Sequence, residues 1–191
     1  MDRAAFFKVV RKQPFGGALS VAQVRGVEAL LDAWERWAPG SDPRFVAYCL
    51  ATVFHETSAA MQPVREVGRG KGRAYGIPAG RFGQVYYGRG GVQLTWLRNY
   101  ELADAKLRAL GVLEPGESLV REPDLALRAD VSAAVAVRGM VEGWFTGRRL
   151  EQFFVGTRSD WVDARAIING RDRAALVAGY GLHFYEGLRA A

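Results

Sequence analysis

A mainly α-helical domain, broken by glycine-rich loops and one small β-hairpin, is the fold this sequence predicts. Three observations predict it. Apolar residues from Val21 onward recur at three- to four-residue steps, the spacing of a helix with one core-facing stripe. Residues 44–54 read RFVAYCLATVF, apolar nearly all round, as in a helix enclosed by its domain. Residues 66–92 are rich in glycine and carry no helical period, so they read as loops.

The elements follow in chain order. Ser20 with Gln23 forms a candidate capping box. The stripe Val21, Val24, Val27, Leu31 and Trp34 then runs to Pro39-Gly40, which ends the helix. Asp42 and Pro43 supply an N-cap and a first-turn proline for the buried helix, expected over 43–57. The β-hairpin is expected around 73–77 and 84–88, inside the glycine-rich region. Thr95 reads as the cap of a helix reaching Leu110 and stopped by Gly111. Residues 113–123 are a connector. The Ala- and Val-rich stretch 124–145 predicts one or two helices ending near Gly147, and the last helices are expected over 160–168 and 172–188. No linker divides the chain, so residues 1–191 are expected to form one domain, long enough for a proper core and without a separate wall-binding module.

Composition narrows the class. Hydrophobic content is 49% and charged content 24%, ordinary for a globular protein. The N-terminal residues lack the apolar run and small-residue cleavage site of a secretory signal. No stretch is apolar over the eighteen or so residues a membrane span needs. The single cysteine, Cys49, excludes an intramolecular disulfide framework and reads as a small buried hydrophobe. With two histidines and one cysteine there is no zinc cluster, and no metal or cofactor is expected. Net charge is +6 and the pI about 9.8, which draws the protein toward anionic surfaces. Residues 68–73, GRGKGR, are the best support for nucleic-acid binding. They lack the spacing of a phosphate-binding loop, and no nucleic-acid module accompanies them.

Two carboxylates stand out. Glu56 emerges where the apolar helix ends, and apolar walls favour the neutral carboxyl that a general acid needs. Glu66 lies ten positions later in the glycine-broken VREVGRGKG, a wetter setting that suits a base. Two carboxylates in contrasting surroundings are the parts of a glycosidase.

The blocks that follow are more specific. Residues 54–57 read FHET, residues 86–100 read YYGRGGVQLTWLRNY, and residues 167–173 read IINGRDR. In these ordered blocks the chain resembles the family 19 glycoside hydrolases, which include chitinases and bacteriophage endolysins, over about residues 45–185. The resemblance implies a lysozyme-like helical fold with the hairpin and loops beside a cleft, and an inverting hydrolysis of β-1,4 bonds between N-acetyl sugars. It implies Glu56 as acid, Glu66 as base and Thr95 as holder of the attacking water. It further implies that His55, Thr57, Tyr87, Gln93, Trp96, Asn99 and Asn169 contact or border substrate, and that Arg173 steadies the second carboxylate or the sugar. Tyr86 is a further aromatic that a sugar ring would meet. Arg89, between glycines, is expected to bond loop carbonyls.

One departure matters. Lytic relatives often place Asp as the second acid with Thr two positions on; here Glu66 is followed by Val67 and Gly68. The compact, basic form without a signal nonetheless looks like a phage or prophage endolysin. On that reading the protein is a monomer made in the cytoplasm that cleaves peptidoglycan after release to the wall, with no membrane anchor and no nucleic-acid partner. The alternatives are a chitinase or chitooligosaccharide hydrolase, and a non-catalytic carbohydrate- or nucleic-acid-binding protein.

Overall fold

The computed structural model describes all 191 residues. Six helices carry the fold: α1 (Arg3–Val10), α2 (Val21–Trp37), α3 (Pro43–Glu56), α4 (Leu97–Ala109), α5 (Ala129–Glu142) and α6 (Ala174–Ala190). Four strands of two residues each form two antiparallel pairs: β1 (Val64–Arg65) with β2 (Arg89–Gly90), and β3 (Phe154–Val155) with β4 (Arg158–Ser159). The mainly α architecture expected from the periodicity is the one found.

α3 is the axis of the core. Every residue from Val46 to Phe54 is buried, and α6 packs along it while α2 packs on α5. Full burial is worth roughly 1.5–3 kcal/mol for a side chain such as Leu50. The start of α3 is set as its sequence suggests, with the Asp42 carboxylate accepting from Arg44 N and Pro43 in the first turn. Ser20 and Gln23 likewise form a reciprocal capping box on α2. Cys49 is a free, fully buried thiol whose pKa burial pushes up to about 12, so it is an inert part of the core.

The end of α3 is abrupt, and this places Glu56. Thr57 Oγ1 donates to Val53 O at 2.7 Å and accepts from Met61 N at 3.0 Å. Ser58, Ala59 and Met61 all have positive φ, so the chain reverses within a few residues. α2 closes on this reversal at Gly26: a Cβ there would lie 1.8 Å from Met61 O.

Several expectations need correction. α1 was not foreseen from sequence; it is short, capped by Asp2, and exists because Phe6 and Val10 are buried one turn apart against α6 at Gly187. The β pair lies outside the expected hairpin: residues 74–76 form a single 3-10 turn, and Ala79 and Gln84 make only an isolated bridge. β1 and β2 instead clamp the two ends of the whole glycine-rich segment. The β3–β4 pair is additional. Thr95 is not a helix cap; Trp96 occupies the cap position with φ 74° and no capping side chain. Residues 123–127 and 163–167 form 3-10 turns rather than parts of longer helices.

Candidate active site

A cleft of about 360 Å³ opens beside the C-terminal end of α3. Glu56, Tyr75, Gln93, Thr95, Trp96, Arg98, Asn99 and Asn169 line it, with Val92, Phe145 and Ile168 as apolar walls. A second hollow, about 170 Å³ and bordered by Gly26, Met61 and Ser132, is mostly apolar and contains no carboxylate.

Glu56 stands in the cleft with its side chain 17% exposed. Its surroundings are not purely apolar, as the sequence suggested. Arg165, only 1% exposed, donates from Nη2 to Glu56 Oε1 at 2.7 Å. Arg165 Nε is spent on Asp172 O at 2.9 Å, and Nη1 is buried with no partner. Glu56 Oε1 is thereby pinned, while Oε2 makes no hydrogen bond within the protein. The carboxyl group has one fixed oxygen and one available to a ligand.

Glu66 immediately follows β1. Tyr75 Oη donates to Glu66 Oε1 at 2.7 Å and Gly88 N donates to Oε2 at 3.0 Å. Its own backbone N donates to Gly88 O at 2.8 Å. The Tyr75 phenol has its pKa raised, chiefly by this hydrogen bond to the carboxylate. Tyr75 itself lines the cleft, so Glu66 is one hydrogen bond from the cavity that Glu56 faces. Gly88 lets the chain pass close to the cleft floor: a Cβ there would sit 2.7 Å from Gln93 Oε1 and 3.3 Å from Thr95 Oγ1, so the Gln93 side chain would have to move.

The segment 93–99 furnishes the floor. Gln93 Nε2 donates to Val64 O and Gly90 O at 3.2 and 3.0 Å, locking it beneath the β1–β2 pair. Thr95 Oγ1 donates to Gln93 O at 2.7 Å, so toward the cleft it acts as an acceptor. Asn99 Nδ2 donates to Thr95 O at 2.8 Å, leaving its own carbonyl oxygen without an internal partner. Trp96 is 45% exposed and meets Tyr75 edge-on, with ring centroids 5.3 Å apart. Gln93 and Trp96 both have positive φ. Non-glycine residues held there cost about 1–3 kcal/mol each, and such strain collects at functional sites.

Other candidates are placed differently. Thr57 is 4% exposed, and its hydroxyl is consumed by the turn after α3; it does not reach the cleft. Tyr87 is 7% exposed and covered by Arg89, whose guanidinium lies 3.6 Å from its ring centroid. Tyr86 is a core residue bonded to Val120 O. Arg89 bonds Val85 O, Tyr87 O and Asp124, so the Tyr-Tyr-Gly-Arg-Gly run is a scaffold that presents Gly88. His55 is part-buried beside the site, its pKa lowered first by burial and then by Arg165 and Arg173 against the opposing pull of Glu56 and Asp172. Arg173 makes no ion pair with Glu66; the groups holding Glu66 are Tyr75 and Gly88 N.

Arg165 and Tyr75 were missed from sequence. A signal existed for the first: an arginine inside the apolar run Ala164–Ile168 demands a buried acid. For Tyr75, nothing short of the loop's path shows that it meets Glu66. No group of acidic, His or Cys side chains is arranged to hold a metal.

No protein-family model and no curated protein matches the sequence. Solved structures do match the fold. A family GH19 class IV chitinase from Zea mays aligns with a TM-score of 0.59 at 23% identity, covering 97% of this chain and 91% of that one. A mutant of chitinase C aligns with a TM-score of 0.53 at 22% identity, covering 100% and 91%. Chitinase C from Streptomyces griseus HUT6037 aligns with a TM-score of 0.50 at 22% identity, covering 99% and 75%. The fold is thus shared with these chitinases over nearly the whole chain.

Proposed function

We propose that this protein hydrolyses β-1,4 glycosidic bonds between N-acetyl sugars, and that its polymer is peptidoglycan, as in an endolysin of muramidase type. One observation carries the reading: Glu56 lines the cleft with one oxygen free, and Glu66, outside the lining itself, is held one hydrogen bond behind it by Tyr75. Glu56 has one oxygen held by Arg165 and one free in the cleft, and it is the free oxygen that can meet a leaving oxygen. Glu66 accepts from two donors, Tyr75 Oη and Gly88 N, which fix the carboxylate as an acceptor. In an inverting reaction Glu56 protonates the glycosidic oxygen. Glu66 takes a proton from the water that attacks the anomeric carbon from the opposite face, which requires about 6.5–9.5 Å between the carboxyl groups. Thr95 Oγ1 and the Asn99 carbonyl oxygen are acceptors for that water or for the sugar, and Trp96 supplies a face for a sugar ring.

All of these groups come from one chain, so a monomer suffices. No helix is long and apolar enough to cross a membrane; the proposed place of action is the wall, after release. A second reading, hydrolysis of chitin or its oligomers, is favoured by the structural neighbours, which are chitinases.

Purified protein offered peptidoglycan and, separately, soluble chitin oligomers distinguishes the two, with products followed by mass and reducing ends. Glu56→Gln should lose at least 10²-fold in rate, the lower range of general acid catalysis, with its unfolding transition unchanged. Cleavage of peptidoglycan but not chitin supports the first reading and the reverse the second. If neither polymer is cut, or if Glu56→Gln keeps near-normal activity, the proposal fails.

A further inference from the structure

The excess positive charge of this protein lies in one segment of the chain, the segment that also supplies much of the cleft lining. Residues 67–100 contain six basic residues and no acidic one, while the other 157 residues contain 20 of each. The whole excess of +6 therefore sits in the segment that starts beside Glu66, supplies Tyr75, Gln93, Thr95 and Trp96 to the cleft, and ends in the first turn of α4. Of the six, Arg89 is buried and paired with Asp124, and Arg81 lies over Phe82 in a separate groove. The remaining four, Arg69, Lys71, Arg73 and Arg98, are exposed and make no ion pair.

Their backbone is fixed. Arg69 N donates to Glu66 O, Lys71 N to Gly68 O and Arg73 N to Gly70 O, at 2.9–3.1 Å. A Cβ on Gly76 would lie 1.7 Å from Gly70 O, so the loop is closed tightly on itself. Tyr75, one hydrogen bond from Glu66, fastens its far end to the site, and the charge of Arg73 acts on that phenol. Arg98 lines the cleft directly. A rigid loop thus presents three unpaired cations beside the proposed base, and a fourth lies in the cleft.

A neutral chitin chain has no use for such a wall. We propose that the loop 69–73 with Arg98 is a specificity element that recognises carboxylates carried by the glycan, so that the preferred strand bears acidic groups on its sugars. This rests on the glycan reading above and names the chemistry of the strand. Exposed ion pairs are individually weak and screened by salt, so several acting together should favour an acidic strand about 10-fold at low ionic strength.

The test uses binding, so that it does not depend on turnover. Peptide-free glycan strands with free lactyl carboxylates, and the same strands with those groups converted to methyl amides, are titrated into Glu56→Gln protein in low salt and in about 0.5 M salt. The expected result is an advantage of about 10-fold for the free acid at low salt, shrinking to under about 3-fold at high salt. It should fall to under about 3-fold, the share left to Arg98, in a background that adds Arg69→Gln, Lys71→Gln and Arg73→Gln, with affinity for the amidated strand unchanged. Equal affinity of the Glu56→Gln protein for both strands, or a preference undiminished by the three substitutions, overturns the inference. Tighter binding of a single-stranded DNA oligomer of matched charge would also overturn it, by assigning the loop to nucleic acid. Failure of wild-type protein to cut any glycan would count against hydrolysis and leave this binding result standing.

Discussion

Replacing Arg165 by Met removes the group that fixes Glu56 while preserving much of its volume. Breaking a buried ion pair from one side typically costs about 3–5 kcal/mol, because the remaining charge is stranded. Here Glu56 is 17% exposed, so water partly reaches it and the lower end applies. Removing the buried Nη1, which has no partner, returns about 1 kcal/mol. The net expectation is a loss of about 2–3 kcal/mol, or roughly 5–10 °C in Tm for a chain of this length. Turnover should fall further than stability explains, by about 10–100-fold, because the carboxyl group no longer has one oxygen held in place. Arg165→Lys keeps the charge without the planar fork and should fall between. Urea unfolding and steady-state kinetics at saturating polymer measure the two effects separately. An Arg165→Met protein as stable as wild type with turnover within about twofold would refute the reasoning.

Tyr75→Phe removes the phenolic donor to Glu66 and leaves the ring against Trp96; a hydrogen bond to a charged group is worth about 1.5–3 kcal/mol, and partial exposure reduces this, so kcat should fall about 10-fold with little change in Tm. Gly26→Ala puts a methyl group into Met61 O, and overpacking of this kind costs about 1–3 kcal/mol, readable as a lower urea midpoint together with a disturbed turn after Glu56. His55 has a pKa below its ordinary value in the folded protein, so the unfolded chain binds its proton more readily. Stability should be unaffected by this group above about pH 6.5 and should decline as pH falls below it, and His55→Asn should flatten that part of a Tm-against-pH curve.

Where the sequence was readable, local rules and packing agreed. The capping box at Ser20 and the Asp42-Pro43 start of α3 are short-range chemistry, and both lie where spacing predicted them. The apolar run 46–54 can be accommodated only by burial, so the core helix and the emergence of Glu56 at its end were legible together. What was not legible depends on partners far away in the chain. α1 is too short to announce itself and is held by Phe6 and Val10 against α6. Arg165 lies 109 residues from Glu56, and Tyr75 reaches Glu66 only because β1 and β2 close the loop between them. Tyr87 looked like a sugar platform because an exposed and a buried tyrosine read alike; the Arg89 guanidinium that covers it settles the matter. Thr95 looked like a cap for the same reason, since a hydroxyl two residues before a helix can turn back to Gln93 O instead.

The central claim is that Glu56 and Glu66 act from opposite sides of one bond with a water between them. Proton NMR of the first products of glycan hydrolysis, recorded before mutarotation, reads this directly. The account predicts that the new reducing end appears first as the α-anomer and only later equilibrates. A β-anomer formed first would mean retention at the anomeric carbon and would contradict the arrangement argued for these two glutamates.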